Sequence, residues 1–124
     1  MKITLLSEDR IRLDGGAGPL TIEAEDPQRI YSPFHMLASS LATCVFSVLR
    51  SWADNAGLPG DDLAVEVGWE FVEDPYRVGR MEVELVWPSL PEQRRRAAER
   101  ASHLCTVHNT LLHPPEIVTR LRVP

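Results

Sequence analysis

Two cysteines in 124 residues are too few for the disulfide framework that staples small secreted domains. Basic charge is also in short supply. Thirteen lysines and arginines stand against 18 acidic residues, for a formal net charge of −5. A nucleic-acid binder needs a basic face to neutralise phosphates, so that class loses ground. The one local basic run, Arg94, Arg95 and Arg96, reads as a solvated helix face. Long apolar runs are missing as well. The opening MKITLLSEDR returns to charge too soon for a signal-peptide core, and the longest apolar stretch, residues 37–49, is interrupted by Ser39, Ser40, Thr43 and Ser47. These absences give the expectation of a cytoplasmic protein with neither nucleic acid nor membrane among its partners. No internal repeat or low-complexity tract is present. At 44% hydrophobic and 25% charged, the chain reads as a single globular domain, 1–124, large enough for a core.

What is there falls into alternating blocks. KITLL, RIRL and PLTIEA are short strand-like pieces, and DGGAG before the last is a turn signal, so an N-terminal antiparallel meander is expected. YSPFHM then opens a helix, with Ser32 as cap and Pro33 in the first turn, where a missing N–H costs nothing. The helix is expected to run to about Ala56 and to stop at GLPG. Leu37, Leu41, Val45, Val48 and Trp52 line one side. Ala38, Ala42, Phe46, Leu49 and Ala53 surround it, the pattern of a helix buried on nearly all sides.

Two period-2 strands follow. Leu63, Val65, Val67, Trp69 and Phe71 share a face in the first, and Met81, Val83, Leu85 and Trp87 in the second. Ser89 and Glu92 have capping-box spacing and predict a second helix, with Ala97, Ala101 and Leu104 inward. EIVTRLRV supplies a last strand with Ile117, Thr119 and Leu121 on one face. Segregated strands and helices indicate α+β, with helices packed on an antiparallel sheet.

The two cysteines differ in setting. Cys44 lies near the apolar stripe of the first helix, where cysteine commonly serves as a small hydrophobe. Cys105 opens Cys-x-x-His with His108, half of a zinc pattern, and His103, His113 and His35 are further nitrogen donors. A Cys–His nucleophilic dyad is a further reading of the same residues. Redox chemistry needs a stabilised thiolate and a second sulfur within reach. The two cysteines are 61 residues apart in the chain, and only the fold could bring them together.

Two segments taken together resemble the OsmC/Ohr family of thiol-dependent hydroperoxide reductases: SPFHMLASSLATCVFSVLRSWADNAGLPGDDLAVEV and LPEQRRRAAERASHLCTVHNTLLHPPEIVTRL. The N-terminal one is similar to the family's Ser/Asn-Pro helix start, small-residue run and first cysteine. The C-terminal one is similar to its helix ending in Cys-Pro-Val-His, with Thr106 in place of the proline. The resemblance covers about three-quarters of the chain. It implies an OsmC-like fold, an antiparallel sheet packed with a long buried central helix, and an intertwined homodimer with active sites at the interface.

By position, the resemblance makes Cys44 the peroxidatic thiol and Cys105 the resolving one. It implies a hydroperoxide substrate, a Cys44 sulfenic acid, a Cys44–Cys105 disulfide and an external dithiol reductant. It calls for no cofactor and no metal.

One departure stands out. Peroxidases of the family carry a glutamate after the helix-start proline, paired with an arginine of the N-terminal strands. Here that place holds Phe34, followed by His35. Arg10 and Arg12 are the candidates for the arginine. Phe34 is a candidate pocket wall. His35 is nine residues before Cys44, about two and a half turns, which directs it to the pocket mouth or to solvent. Phe34, His35 and His108 are therefore the candidate substrate-pocket residues. A site without the acid also fits a non-catalytic dimer of the same fold that binds a small ligand or serves a structural role.

Overall fold

The computed structural model describes residues 2–7, 10–14 and 32–124, with side chains from residue 32 onward. It divides into two compact units, Met1–Leu37 and Ala38–Pro124. In the first, β1 (Lys2–Ser7) and β2 (Arg10–Asp14) pair antiparallel, with Ile3 opposite Leu13 and Leu5 opposite Ile11. The expected third piece, PLTIEA, lies outside the described residues, as do the side chains of Arg10 and Arg12.

Helix α1 (Pro33–Ala56) begins and ends where its punctuation places it. The Ser32 hydroxyl accepts the backbone N–H of His35 at 3.3 Å, and the His35 Nδ1 accepts the backbone N–H of Ser32 at 3.3 Å. This is a capping box with histidine in the role usually taken by Glu or Gln. Pro33 fills the first helical position beneath the cap. At the other end Gly57 takes φ +67°, the left-handed conformation that stops a helix and that a side chain would strain.

In the second unit, β3 (Ala64–Val72) and β4 (Arg77–Val86) form an antiparallel hairpin. Val65 stands opposite Leu85, Val67 opposite Val83 and Trp69 opposite Met81. Side chains alternate across a strand, so this set turns one way and Glu66, Glu70, Arg80, Glu82 and Glu84 turn the other. The register slips between Glu70 and Phe71. Past that bulge, where Gly79 is the extra residue on β4, Phe71 stands opposite Val78; it is 38% exposed and stacks on Tyr76, centroids 5.0 Å apart.

The core forms where α1 meets this hairpin and the C-terminal helices. Leu41, Val45, Leu49 and Ala53 of α1 cluster with Leu63, Trp87, Ala98, Ala101 and Cys105. Burying each Leu or Val side chain here contributes roughly 1.5–3 kcal/mol. Trp87 meets Trp52 edge-on at 6.0 Å and donates its indole N–H to the Pro59 carbonyl at 3.0 Å, which fixes the loop after α1.

Several expectations need correction. The buried stripe of α1 is Ala38, Leu41, Val45, Leu49 and Ala53, not the stripe through Val48 and Trp52, and Phe46 on another side is 37% exposed. Its apolar residues go nearly all round, so periodicity alone did not select a face. By length and composition α1 also passes for a membrane span, with mean hydropathy 1.3, contrary to the shorter run read from the sequence. Its inner stripe is nonetheless the spine of this packed core.

The Ser89 capping box does not form. Ser89 donates its hydroxyl to Asp62 at 2.6 Å, and a 3-10 turn (Glu92–Arg94) precedes α2 (Arg95–Ser102). Leu104, expected inside, is 71% exposed, while Ala98, Ala101 and Cys105 are buried. A short helix not foreseen from the sequence, α3 (Thr106–Leu112), follows. The EIVTRLRV segment forms no strand, because no strand lies beside it among the described residues.

Candidate active site

The fold brings the two cysteines together. α1 places Cys44 one residue before the buried Val45, half-buried at the edge of the core. The chain breaks from helix between Ser102 and Thr106, and Cys105 sits in that joint with no exposed surface. Its extended backbone, φ −62° and ψ 122°, makes it the N-cap of α3, and its sulfur accepts the His108 backbone N–H at 3.4 Å. The two thiols are near enough to bias each other's ionisation, and both are free rather than joined in a disulfide.

Their environments push them apart. Burial on its own would raise Cys44. The Cys105 thiol and the backbone N–H groups of Val107 and Thr106 all stabilise its anion, and together they outweigh burial and leave Cys44 below its ordinary value of 9.0. For Cys105 burial works the same way, and the adjoining Cys44, by hydrogen bond and by charge, adds to it. The N–H groups of His108 and Val107 only partly offset this, so Cys105 lies above 9.0. The arrangement therefore favours a thiolate on Cys44 and a protonated, donating Cys105.

The other residues expected in the site are placed as follows. His108 contributes its backbone N–H to Cys105, and its ring meets His103 edge-on at 5.3 Å. The His35 ring is engaged in the α1 cap, 2.8 Å from the Ser32 hydroxyl. Phe34 is on the first turn of α1, 37% exposed. For the zinc reading, no group of three or more His, Cys, Asp or Glu side chains is arranged to hold a metal among the described residues.

Sequence reasoning missed the donors contributed by Thr106 and Val107. The signal was present: Thr106 stands where the resembling family has proline, and only a non-proline residue has an N–H to give.

Helices on an antiparallel hairpin, with two neighbouring thiols where α1 passes the α2–α3 joint, define an α+β thiol-pair protein. More particularly, the chain belongs to the OsmC-like protein family, whose model matches residues 25–120. Its fold is similar to that of an osmotic stress induced and detoxification response protein from Psychrobacter arcticus 273-4. The TM-score is 0.69, at 19% identity over 88% of this chain and 85% of that one. No curated protein sequence matches it.

Proposed function

We propose that the protein is a thiol-dependent peroxidase that reduces organic hydroperoxides. The observation that carries this reading is the opposed bias of two neighbouring thiols, with the half-buried one drawn toward thiolate and the fully buried one toward thiol. Membership of the OsmC-like family and the stress and detoxification role named for the Psychrobacter protein support it.

In the first step the Cys44 thiolate attacks the outer oxygen of the hydroperoxide. The O–O bond breaks, the alkoxide leaves and takes a proton to become the alcohol, and Cys44 becomes a sulfenic acid. In the second, the Cys105 sulfur attacks the Cys44 sulfur. The S–O bond breaks, water leaves with the Cys105 proton, and a Cys44–Cys105 disulfide forms. An external dithiol then reduces that disulfide by exchange, becoming a disulfide itself. No step draws on a metal or a cofactor.

The same proposal includes a homodimer acting in the cytoplasm, without nucleic acid or membrane as partner. The side of α1 on which Phe46 is exposed is the surface such an assembly would cover.

The test is peroxide consumption with several organic hydroperoxides and dithiols. Cys44→Ser is expected to bring turnover down to background. Cys105→Ser is expected to allow one reaction and then irreversible oxidation of Cys44, seen as a mass gain. Wild-type turnover in Cys44→Ser would overturn the reading and leave a non-catalytic binding role for the same fold.

A further inference from the structure

Reduction of a disulfide by a dithiol needs a reachable sulfur that ionises readily and a second thiol poised to resolve the adduct. Both are built into this unit. Cys44 is half-buried at the edge of the core and lies below its ordinary value of 9.0, while Cys105 has no exposed surface and lies above it. An incoming disulfide therefore meets Cys44. Cys105 is closed to solvent but held near Cys44: its backbone caps α3, and its sulfur accepts the His108 N–H at 3.4 Å. A thiol fixed near the adduct attacks within the chain, without the entropy loss of a second encounter.

The leaving group decides how well the site suits this reaction. Cleaving an O–O bond expels an alkoxide, which is strongly basic and needs a proton. Cleaving an S–S bond expels a thiolate, which leaves unaided because its thiol titrates at roughly 8.5. Among the described residues, the groups that draw Cys44 toward thiolate are the Cys105 thiol and the N–H groups of Val107 and Thr106. None of these is a carboxylic acid or an imidazole. The sequence agrees, with Phe34 where peroxidases of the resembling family carry glutamate. A thiolate leaving group asks for nothing more than is present.

Charge narrows the substrate. A cleft of about 500 Å³ lies against the α2–α3 joint, bordered by Val45, the neighbour of Cys44, and by Ser102 and His108 on either side of Cys105. Its carboxylates are Glu82, Glu84 and Glu99. Arg80 answers Glu82 at 3.0 Å, while Glu84 and Glu99 have no ion-pair partner among the described residues. The whole chain carries a net charge of −5. Such surroundings repel anionic ends and draw in cationic ones over about 10 Å at 0.1 M salt.

We propose that the reduced Cys44–Cys105 pair is also a reductant of small aliphatic disulfides, preferring those with positive rather than negative ends. The Cys44 thiolate attacks one sulfur of the disulfide. The S–S bond breaks, and one half leaves as a thiolate with the bonding pair and takes a proton from water. Cys44 then carries the other half as a mixed disulfide. Cys105 gives its proton to water, and its sulfur attacks the Cys44 sulfur. The mixed S–S bond breaks, and the second half leaves and is protonated in turn. The substrate is reduced to two thiols, and the pair is oxidised to the Cys44–Cys105 disulfide, which an external dithiol reduces. This activity goes beyond the peroxidase reading, since no peroxide takes part.

The test uses the reduced full chain, freed of reductant and peroxide, with three aliphatic probes. Cystamine has two ammonium ends, hydroxyethyl disulfide is neutral, and dithiodipropionate has two carboxylates. Thiol release and intact-protein mass are read together. Wild type is expected to release both halves of the probe and to lose two hydrogens. Cys105→Ser is expected to stop with one half linked to Cys44. Cys44→Ser is expected to react on the order of a hundredfold more slowly, because its remaining sulfur is buried. Cystamine is expected to react fastest and dithiodipropionate slowest, with the gap closing at high salt. Cys44→Ser reacting at the wild-type rate, or wild type ending as the mixed disulfide, would overturn the proposal. Equal or reversed rates across the probes would overturn the substrate preference. Peroxide consumption by the same preparations judges the peroxidase reading separately, so either can fail while the other stands. Circular dichroism of each variant confirms that it remains folded.

Discussion

Cys44 is in the middle of a 24-residue helix, whereas Cys105 is in a joint between two short ones. The first region is rigid by periodicity: Leu41, Val45, Leu49 and Ala53 recur every four residues and are each no more than 3% exposed. The second has little core of its own, with Ala98, Ala101 and Cys105 as its buried residues. Yet, among the described residues, the joint provides every group that pulls Cys44 toward thiolate: the Cys105 thiol and the N–H groups of Val107 and Thr106. The long helix thus fixes where the reactive sulfur is, and the short break fixes what that sulfur is chemically. A mid-helix sulfur meets no free N–H of its own helix, because those donors are committed to carbonyls four residues back. Here such donors come from the place where another helix starts.

The sharpest way to break the comparison on the α1 side is Leu49→Ala. Leu49 has no exposed surface and lies at the centre of the cluster, so its truncation leaves a cavity. The expected cost is about 2–5 kcal/mol of unfolding free energy, measured by urea denaturation. In the fraction that stays folded, the pH profile of Cys44 alkylation is expected to hold, because no donor to the sulfur is lost. A shifted profile at unchanged stability would reverse the division of labour between helix and joint.

On the joint side the corresponding change is Thr106→Pro. Thr106 is the first residue of α3, a position that accepts proline, and Cys105 at ψ 122° already has the extended backbone that precedes one. The substitution removes one N–H from Cys44 and little else. Stability is expected to stay near wild type, while the iodoacetamide profile of Cys44 moves to higher pH. The sign follows from the lost donor: it favours the anion, so without it more alkaline solution is needed to form the same thiolate. At neutral pH the alkylation rate is expected to fall on the order of tenfold, the scale of one hydrogen bond to a charged group. An unchanged profile would assign the low value to Cys105 and Val107 alone.

The same contrast explains what was legible in the sequence. α1 could be bounded because Ser32, Pro33 and Gly57 mark its ends, and β3 and β4 because their apolar residues alternate. The joint was not legible. SHLC contains no glycine or proline, and Leu104 keeps helical spacing from Ala97 and Ala101, so the local pattern continues a helix that the structure ends. Tertiary packing wins there, burying Cys105 and exposing Leu104. The bulge after Glu70 was equally silent, being a property of pairing rather than of either strand. For the site, Cys44 and Cys105 were identified by family resemblance, since residue spacing alone left core, zinc and redox readings open. The backbone donors depended on a helix start that no residue announced.

The smallest effect is expected away from both thiols, where Asp62 holds the segment after β4. Its carboxylate accepts the Ser89 hydroxyl at 2.6 Å and the Ser89 backbone N–H at 2.8 Å, and the hydroxyl bond above all holds it below its ordinary value of 3.8. A carboxylate lowered on folding adds stability in full above its ordinary value and loses it as pH falls through the folded-state value. Asp62→Asn keeps an acceptor but removes the charge. At pH 7 it is expected to lower Tm by about 2 °C or less, since the group is fully exposed to solvent. The gap from wild type should narrow as pH drops below 3.8, because both proteins then carry a neutral side chain at this position. Cys44 alkylation should be unaffected at every pH. If Asp62→Asn moved that profile as far as Thr106→Pro does, control of the sulfur would be spread through the whole unit, and the α2–α3 joint would lose its special standing.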